Sequence, residues 1–279
     1  MTRFLQVLFI IICLRANVSA QINSQPITIG QTATLWSDIL QENRHINIYL
    51  PEGYNAADTV RYPVIFVLDG GMEEDFFHLA GIVRYNTQPW IARFPRSIVV
   101  GIENTNRRRD FTFAVPNTDF IEKAGFKKTN FPQYGQSAKY IGFLEKELQP
   151  WLSKNFRVSE QRTVIGESLA GLLASEILLR HPQLFSTYII ISPSLWWDDE
   201  SLLKTAVNVT PARVYIGAPN KAEDKRMYED AVKLYDHIKA AKNIEAVFDY
   251  LPEELHSTVI HQAVYNAFKK LYPKTALSQ

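Results

Sequence analysis

A serine flanked by small residues lies in the run Gly166-Glu167-Ser168-Leu169-Ala170-Gly171. It follows the β-branched run Thr163-Val164-Ile165 and precedes a helical pattern from Leu172 to Arg180. A serine at a sharp strand-to-helix turn has a strained backbone and an exposed Oγ, and its neighbours must be small so that strand and helix can approach. Ala170 replaces the usual final glycine of G-x-S-x-G. The pattern predicts that Ser168 is a nucleophile, with an ordinary serine in a strand–helix turn as the alternative.

A nucleophilic serine needs a base, because a neutral hydroxyl is a weak nucleophile until an imidazole takes its proton. In one recurrent order along the chain, the acid and then the histidine follow the serine. Three histidines follow Ser168 in suitable places. His237 and His261 fall inside helical patterns and are more typical of surface or structural positions. His256 lies in a loop just after a strand-like run that ends at Leu251, and this position favours it as the base.

Two acidic residues are candidates for the group that orients the imidazole and stabilises its positive charge. Ala212 to Gly217 is typical of a buried strand, and Glu223 and Asp224 lie in the loop that follows it. Acidic residues also cluster at helix N-termini, where they interact favourably with the helix dipole. The sequence does not choose between the two, although Glu223 is slightly favoured.

Backbone N–H groups that stabilise a developing oxyanion are expected at two places. The residue after the nucleophile, here Leu169, supplies one donor, and the loop after the third strand supplies the other. Tyr62 to Leu68 is a mostly apolar strand pattern, and Gly70 and Gly71 follow it. Glycines allow a close approach of the backbone to a ligand. We therefore expect Gly70 or Gly71 to be the second donor, with a plain Asp-Gly turn as the alternative.

Four stretches of the chain together resemble the enterochelin esterase-like branch of the α/β-hydrolase superfamily, whose relatives include S-formylglutathione hydrolases, feruloyl and acetylxylan esterases and mycolyltransferases. They are residues Tyr62–Gly70, Val99–Thr112, Gly166–Gly171 and Ile191–Trp197. The likeness spans roughly residues 25–275. It implies that Ser168 acts as nucleophile and His256 as base. The chain departs from the family pattern at Glu167, where histidine is commoner, and at Ala170.

The remaining patterns predict a single α/β domain over residues 21–279. Strand and helix patterns alternate, which favours a mostly parallel central sheet with helices on both faces, as in the α/β-hydrolase fold. The elements predicted between the motifs are strands at Ile46–Leu50, Arg96–Gly101 and Thr187–Ser192 and an amphipathic helix at Ser137–Phe156 kinked by Pro150. Hydrophobic residues make up 46% of the 279, which is enough for a large core.

The N-terminus is predicted to be a signal peptide over residues 1–20. Arg3 precedes an apolar run, and small residues at Ser19 and Ala20 suit cleavage that leaves Gln21 first. The apolar run is too short for a spanning helix. The single cysteine, Cys13, lies inside this segment, and a lipid-attachment site or an uncleaved anchor are the weaker alternatives. We expect a periplasmic or secreted protein with no stable membrane insertion after cleavage.

Substrate contacts are expected from Arg107, Trp196 and Trp197. Aromatic rings bind flat acyl or sugar groups well, although core packing explains the two tryptophans equally well. Arg107 begins a run of three arginines, and the resemblance implies that the spaced arginines and Asp110 tie loops together by ion pairs. The segment Phe111–Gln136 is aromatic-rich and lacks periodicity, as a pocket wall or a surface excursion would.

The sequence as a whole favours a serine carboxylic-ester hydrolase that acts through an acyl-enzyme on a soluble ester, with a siderophore ester as one candidate. The alternatives are a feruloyl or acetyl esterase on polysaccharide, an acyltransferase, and a non-catalytic ligand-binding relative. The formal net charge of +1 does not suggest nucleic acid as a partner. No histidine and carboxylate cluster has ligand spacing, so neither a metal nor another cofactor is expected. The expected partner is a small-molecule or glycan ester, and the sequence leaves the oligomeric state open.

Overall fold

The computed structural model describes residues 24–207 and 210–274. The predicted signal segment 1–20, with Cys13, and the expected first mature residue Gln21 lie outside the described residues. Within the described part of the chain, no helix is both long enough and apolar enough to cross a membrane.

An eight-stranded sheet forms the centre of the molecule, in the order β1-β2-β4-β3-β5-β6-β7-β8. Its strands are β1 (Gln31–Ser37), β2 (Glu42–Tyr49), β3 (Tyr62–Val67), β4 (Ile98–Ile102), β5 (Val158–Glu167), β6 (Thr187–Ile191), β7 (Ala212–Ala218) and β8 (Ile244–Tyr250). β2 pairs antiparallel with both β1 and β4, and the strands from β4 across to β8 are parallel. The predicted mostly parallel sheet is confirmed.

Helices cover both faces of the sheet. They are α1 (Phe76–Asn86), α2 (Arg107–Phe111), α3 (Asp119–Lys123), α4 (Ser137–Phe143), α5 (Gln149–Asn155), α6 (Leu169–Arg180), α7 (Lys225–Ile238) and α8 (Val259–Leu271). α1 and α8 cover one face, and α4 to α7 cover the other. Because successive strand residues point to opposite faces, Ile65 and Val67 of β3 pack toward α1 and α8, and Val64 and Phe66 pack toward the opposite layer. Both faces are therefore apolar, as a doubly covered sheet requires.

Two elements differ from the sequence-based expectation. The strand expected at Ile46–Leu50 is the second half of β2, which begins at Glu42 and is antiparallel to both of its neighbours, and β1 outside it was not predicted. The side chains of β1 alternate between exposed and half-buried, so its apolar signal is weak. The helix predicted at Ser137–Phe156 is α4 followed by α5, joined by a π turn at Leu144–Leu148. Such a turn is a local adjustment to the missing N–H and bulky ring of Pro150.

The turn between β5 and α6 is strained and tightly packed. Ser168, at its tip, has a φ of 59° and a ψ of −117°, a combination that residues other than glycine rarely adopt. A Cβ at Gly166 would lie 2.4 Å from the carbonyl oxygen of Ala170, and one at Gly171 would lie 2.9 Å from the carbonyl oxygen of Ile191. The two glycines thus allow α6 to begin directly against β5 and β6. Gly171, rather than Ala170, supplies the close approach to β6.

We expect Gly166→Ala to lower the free energy of unfolding by about 2–3 kcal/mol, because the added methyl group overpacks the turn. Gly81→Ala is the matched control. Gly81 lies in α1, and an added Cβ there meets nothing within 4 Å. This control should raise stability by about 0.5–1 kcal/mol, the usual gain of alanine over glycine in a helix. Urea denaturation of both variants makes the comparison, and wild-type stability of Gly166→Ala would contradict the tight packing.

Candidate active site

Loops from the carboxyl ends of neighbouring strands line a cavity of about 350 Å³. Parallel strands end at the same edge of a sheet, so segments far apart in sequence meet there. The lining includes seven of the predicted site residues, namely Arg107, Ser168, Leu169, Trp196, Glu223, Asp224 and His256. The predicted residues Gly70, Gly71 and Trp197 are not part of this lining. The structure therefore brings the nucleophile, base and acid candidates to one place.

A larger groove, of about 690 Å³, opens at the opposite end of the parallel strands, where β5 to β8 begin. Its lining includes Arg213, Lys242 and Glu245, and none of the predicted nucleophile, base or acid candidates. Convergent chemical groups, rather than size, therefore identify the 350 Å³ cavity as the candidate active site.

Ser168 is held by backbone hydrogen bonds on both sides of the turn. Its N–H donates to the carbonyl of Ile191 at 3.0 Å, and its carbonyl accepts the N–H of Ser194 at 3.0 Å. Its Oγ lies 3.3 Å from the Oγ of Ser194. In the described structure no hydrogen bond joins Ser168 to the ring of His256. Catalytic hydrogen bonds of this kind often tighten only when substrate binds.

His256 lies partly buried in the loop between β8 and α8. Its Nδ1 is 2.9 Å from the Oγ of Ser192, and its backbone N–H donates to the carboxylate of Glu223 at 2.6 Å. Burial lowers the pKa of the His256 imidazole below its ordinary value, and the charge of Arg107 acts in the same direction, while Glu223 and Asp224 raise it. The net lowering keeps the imidazole neutral at pH 7, which is the form that a general base needs.

The two acid candidates have different partners. Asp224 is the N-cap of α7, and its Oδ1 accepts the N–H of Met227 at 3.0 Å. This is the helix-start role that was the alternative for the acids. Glu223 is solvent-exposed and binds the main chain of His256, so it positions the loop. In this arrangement both carboxylates act on the imidazole only through their charge. The hydrogen-bond partner of Nδ1 is the hydroxyl of Ser192 and not a carboxylate.

Of the backbone N–H groups expected to bind the oxyanion, one lacks an acceptor within its helix and two already have an acceptor. Leu169 is the first residue of α6, so its N–H has no intrahelical acceptor, and the residue lines the cavity. The N–H of Gly70 donates to the carbonyl of Ile102 at 3.0 Å, and that of Gly71 donates to the carboxylate of Glu74 at 2.6 Å. These two amides already have acceptors, so the structure does not present either of them to a substrate.

Gly70 packs against the backbone of the sheet and does not line the cavity. A Cβ there would lie 2.3 Å from the Cα of Gly101, so Gly70 allows its loop to pass close to β4. The side-chain amide of Asn47 also donates to the carbonyl of Gly70 at 2.9 Å. The expectation that Gly70 approaches a ligand is thus corrected, because the close approach is made to backbone.

Glu167, the residue directly before Ser168, is mostly protonated at pH 7. Burial raises its pKa to about 8, with the charges of Asp75 and Asp69 adding to this effect and Arg107 opposing it. The proton is retained chiefly because burial penalises the charged form of the carboxyl group. The departure from the commoner histidine therefore adds no full charge next to Ser168 at neutral pH.

Arg107 ties the elbow to the loop after β3. Its guanidinium donates to the carboxylate of Asp69 at 2.7 and 3.0 Å and to the carbonyl of Glu167 at 2.9 Å. Nearby, Arg109 pairs with Asp110, which is fully buried and also pairs with Arg44. The ion pairs expected for the spaced arginines and Asp110 are confirmed. Arg107 also lines the cavity, so a substrate contact and the structural role are compatible.

The tryptophan pair is split between cavity and core. Trp196 lines the cavity and stacks on Phe126, with ring centroids 4.7 Å apart. Trp197 is fully buried, and its indole N–H donates to the carbonyl of Phe113 at 3.0 Å. The expectation of a pocket wall therefore fits Trp196 and is wrong for Trp197, whose hydrogen bond faces the core.

The segment Phe111–Gln136 contributes Phe126, Asn130 and Phe131 to the cavity lining, which fits its interpretation as a pocket wall. The absence of periodicity hid which of its residues face the cavity. Ser192, the partner of the imidazole, was not assigned a role. The sequence does carry a signal for it, because a polar residue directly after a fully buried parallel strand lies at the edge where ligands bind.

Comparison with known proteins agrees with this geometry. Residues 37–271 match the family model described as "Putative esterase". The ferri-bacillibactin esterase BesA of Bacillus subtilis (strain 168) is 26% identical over 267 residues, which cover 88% of this chain and 91% of that protein. The siderophore enterobactin esterase of Emericella nidulans is 26% identical over 193 residues, covering 56% of this chain and 63% of that protein.

A solved structure is similar over most of its length. The IroE-like serine hydrolase from Shewanella oneidensis superimposes with a TM-score of 0.77 at 29% identity, covering 87% of this chain and 80% of that one. The chain belongs to the esterase family, in its enterochelin esterase-like branch, and is a carboxylic ester hydrolase with the α/β-hydrolase fold. The expectations of family, fold and enzyme class are confirmed.

The pH dependence of kcat/KM tests how Glu223 acts. Glu223→Gln keeps an oxygen for the N–H of His256 but removes a charge that raises the pKa of the imidazole. We expect the acidic limb of the profile to move to lower pH, with kcat reduced less than about tenfold because an exposed charge is screened. Asp224→Asn is the comparison variant: it also removes a charge that raises the pKa of the imidazole, so its acidic limb should move in the same direction, but kcat should change less than twofold, since asparagine caps a helix about as well.

Steady-state kinetics on one activated ester, with circular dichroism to verify folding, measure both variants. A loss of about ten-thousandfold for Glu223→Gln, as in the asparagine replacement of a serine-protease triad acid, would show that the carboxylate binds Nδ1 during turnover. The same loss for Asp224→Asn would move that role to Asp224.

Proposed function

We propose that the protein hydrolyses a soluble carboxylic ester through an acyl-enzyme on Ser168, and that its substrate is a siderophore ester. The observation that carries the proposal is the strained backbone of Ser168 at a cavity that also holds His256 and the N–H of Leu169. A non-glycine residue persists in such a conformation only where its surroundings hold it, and such positions cluster at active sites.

The reaction proceeds in two balanced steps. The Ser168 Oγ attacks the ester carbonyl carbon while its proton passes to Nε2 of His256, and the oxyanion receives the N–H of Leu169. Collapse of the tetrahedral intermediate expels the alcohol, which takes the proton from His256, and the acyl group stays on Ser168. A water molecule then gives a proton to Nε2 of His256 while its oxygen attacks the carbonyl carbon of the acyl-enzyme. The second tetrahedral intermediate collapses by breaking the bond to Oγ of Ser168, which takes that proton back from His256, and the carboxylic acid is released.

The cavity wall supports an aromatic, anionic acyl group. Arg107 and Arg108 contribute positive charge, and Phe126, Phe131 and Trp196 contribute aromatic surface. The guanidinium of Arg108 lies 5.5 Å from the ring centroid of Phe131, so charge and aromatic surface are adjacent. Arginine binds oxyanions and stacks on flat rings. The names of the two curated relatives, a ferri-bacillibactin esterase and a siderophore enterobactin esterase, support the same substrate class.

We expect Ser168→Ala to reduce turnover on the order of a millionfold, as the loss of a triad nucleophile does. A fluorophosphonate probe should label the wild-type protein at Ser168, as read by peptide mass spectrometry. Labelling at Ser194, whose Oγ lies 3.3 Å away, would overturn the assignment of the nucleophile.

The substrate class is tested with the same preparation. A trilactone catecholate siderophore, a feruloyl sugar, an acetylated sugar and p-nitrophenyl acetate are compared by kcat/KM, each with Ser168→Ala as the blank. We expect the siderophore ester to have the highest value. A higher value for either sugar ester would favour the polysaccharide esterase alternative. Ester products with an added alcohol in place of free acid would favour acyl transfer.

We also propose that the protein is exported and that residues 1–20 are removed. The support is the basic, apolar and small-residue pattern of the N-terminus. The expected result is a mature protein that begins at Gln21 and is recovered outside the cytoplasm. Intact mass spectrometry of the protein from its native host measures this, and a mass that retains Met1 would contradict cleavage.

A further inference from the structure

Ser192, whose side chain contacts the cavity residue His256, has an unusual backbone. It follows β6 directly, is fully buried, and has a φ of 41° although the next residue is Pro193. A proline favours an extended conformation in the residue before it, so a left-handed serine at this position is strained. Strain of this kind suggests a functional constraint, and the contacts of the Ser192 side chain indicate which one.

The backbone around Ser192 leaves its hydroxyl little freedom. Its N–H donates to the carbonyl of Gly217 at 2.8 Å, which ties it to β7. On the other side, a Cβ at Gly171 would lie 3.0 Å from the Cα of Pro193, so the start of α6 packs tightly on this turn. The hydroxyl of Ser192 is thus placed by two strands and a helix, whereas His256 comes from a loop.

The contact between the two residues involves the ring nitrogen whose protonation distinguishes the two tautomers of the imidazole. A base that takes the proton of Ser168 at Nε2 must carry its own proton at Nδ1. The Nδ1 of His256 lies 2.9 Å from the Oγ of Ser192, a hydrogen-bond distance at which the hydroxyl can accept that proton. The carboxylate of Glu223, meanwhile, is bonded to the backbone N–H of His256.

We infer that Ser192 is a positioning residue for His256, which binds Nδ1–H and so holds the ring in the tautomer with a free Nε2. This inference rests on the proposed acyl-enzyme mechanism for its catalytic meaning. The work of a triad acid is then divided between two residues. Ser192, which is held by the sheet, orients the ring of His256. Glu223 binds the backbone N–H of His256, which fixes the loop that carries the histidine, and contributes negative charge.

Nitrogen NMR of the imidazole tests the positioning directly, with the His256 signals assigned by comparison with His256→Gln. At pH 7.5 the wild-type protein should show the proton on Nδ1 of His256, and Ser192→Ala should show a mixture of both tautomers. A wild-type ring protonated at Nε2 would overturn the inference without any variant of Ser192. An unchanged Nδ1–H tautomer in folded Ser192→Ala would also overturn it.

Kinetics provide the second readout. Ser192→Ala should lower kcat about 10- to 100-fold, as expected for a lost hydrogen bond to a group that becomes charged, with KM changed less than twofold. Ser97→Ala is the matched control, since Ser97 is equally buried and bonds a backbone carbonyl, that of Pro95, at 2.8 Å. It should retain wild-type kcat. Wild-type kcat in Ser192→Ala, beside an active wild-type enzyme, would overturn the inference.

The two proposals fail in different ways. If the wild-type protein hydrolyses none of the esters while the tautomer of His256 still depends on Ser192, the proposed function fails and the positioning stands. If the enzyme is active and labelled at Ser168 while the tautomer is indifferent to Ser192, the positioning fails and the proposed function stands.

Discussion

The packing of α6 against the ends of β5 and β6 is the constraint on which the site depends. Gly166 and Gly171 allow this approach because a Cβ at either position would collide with backbone. Ser168 then has a positive φ and is bonded to Ile191 through its N–H and to Ser194 through its carbonyl. Ser168 and the residues that follow β6 are therefore held together by backbone bonds, and a side chain there is positioned by the sheet.

The electrostatics of the site follow from unequal burial of its carboxyl groups. Glu167 is poorly solvated beside Asp75 and Asp69, so burial and like charge raise its pKa to about 8 and it stays neutral at pH 7. Glu223 is exposed and accepts the N–H of His256. The exposed carboxylate therefore lies next to His256, whereas the buried carboxyl group beside Ser168 is protonated at pH 7. Acidic residues of one site can have different protonation states because their environments differ.

Much of the fold and the strained turn at Ser168 could be predicted, because the signals are local. The small residues around Ser168 and the strand and helix patterns beside it describe a turn that its own neighbours determine. The continuous apolar character of the strands also predicts a parallel sheet that is covered on both faces. β1 was missed because an edge strand with exposed and half-buried side chains has a weak apolar pattern. Gly70 was misread because a glycine that approaches backbone and one that approaches a ligand look the same in sequence.

By itself, the sequence determined the sheet, the elbow and the place of His256 after the last strand, since each follows from residue type and order along the chain. Tertiary structure alone decided which atoms meet. It placed Ser192 against Nδ1 of His256, bound Glu223 to main chain, and sent Trp196 to the cavity and Trp197 to the core. Neighbouring residues in sequence differ in these roles because small changes of backbone direction turn their side chains toward different surroundings, and those directions depend on packing between distant segments.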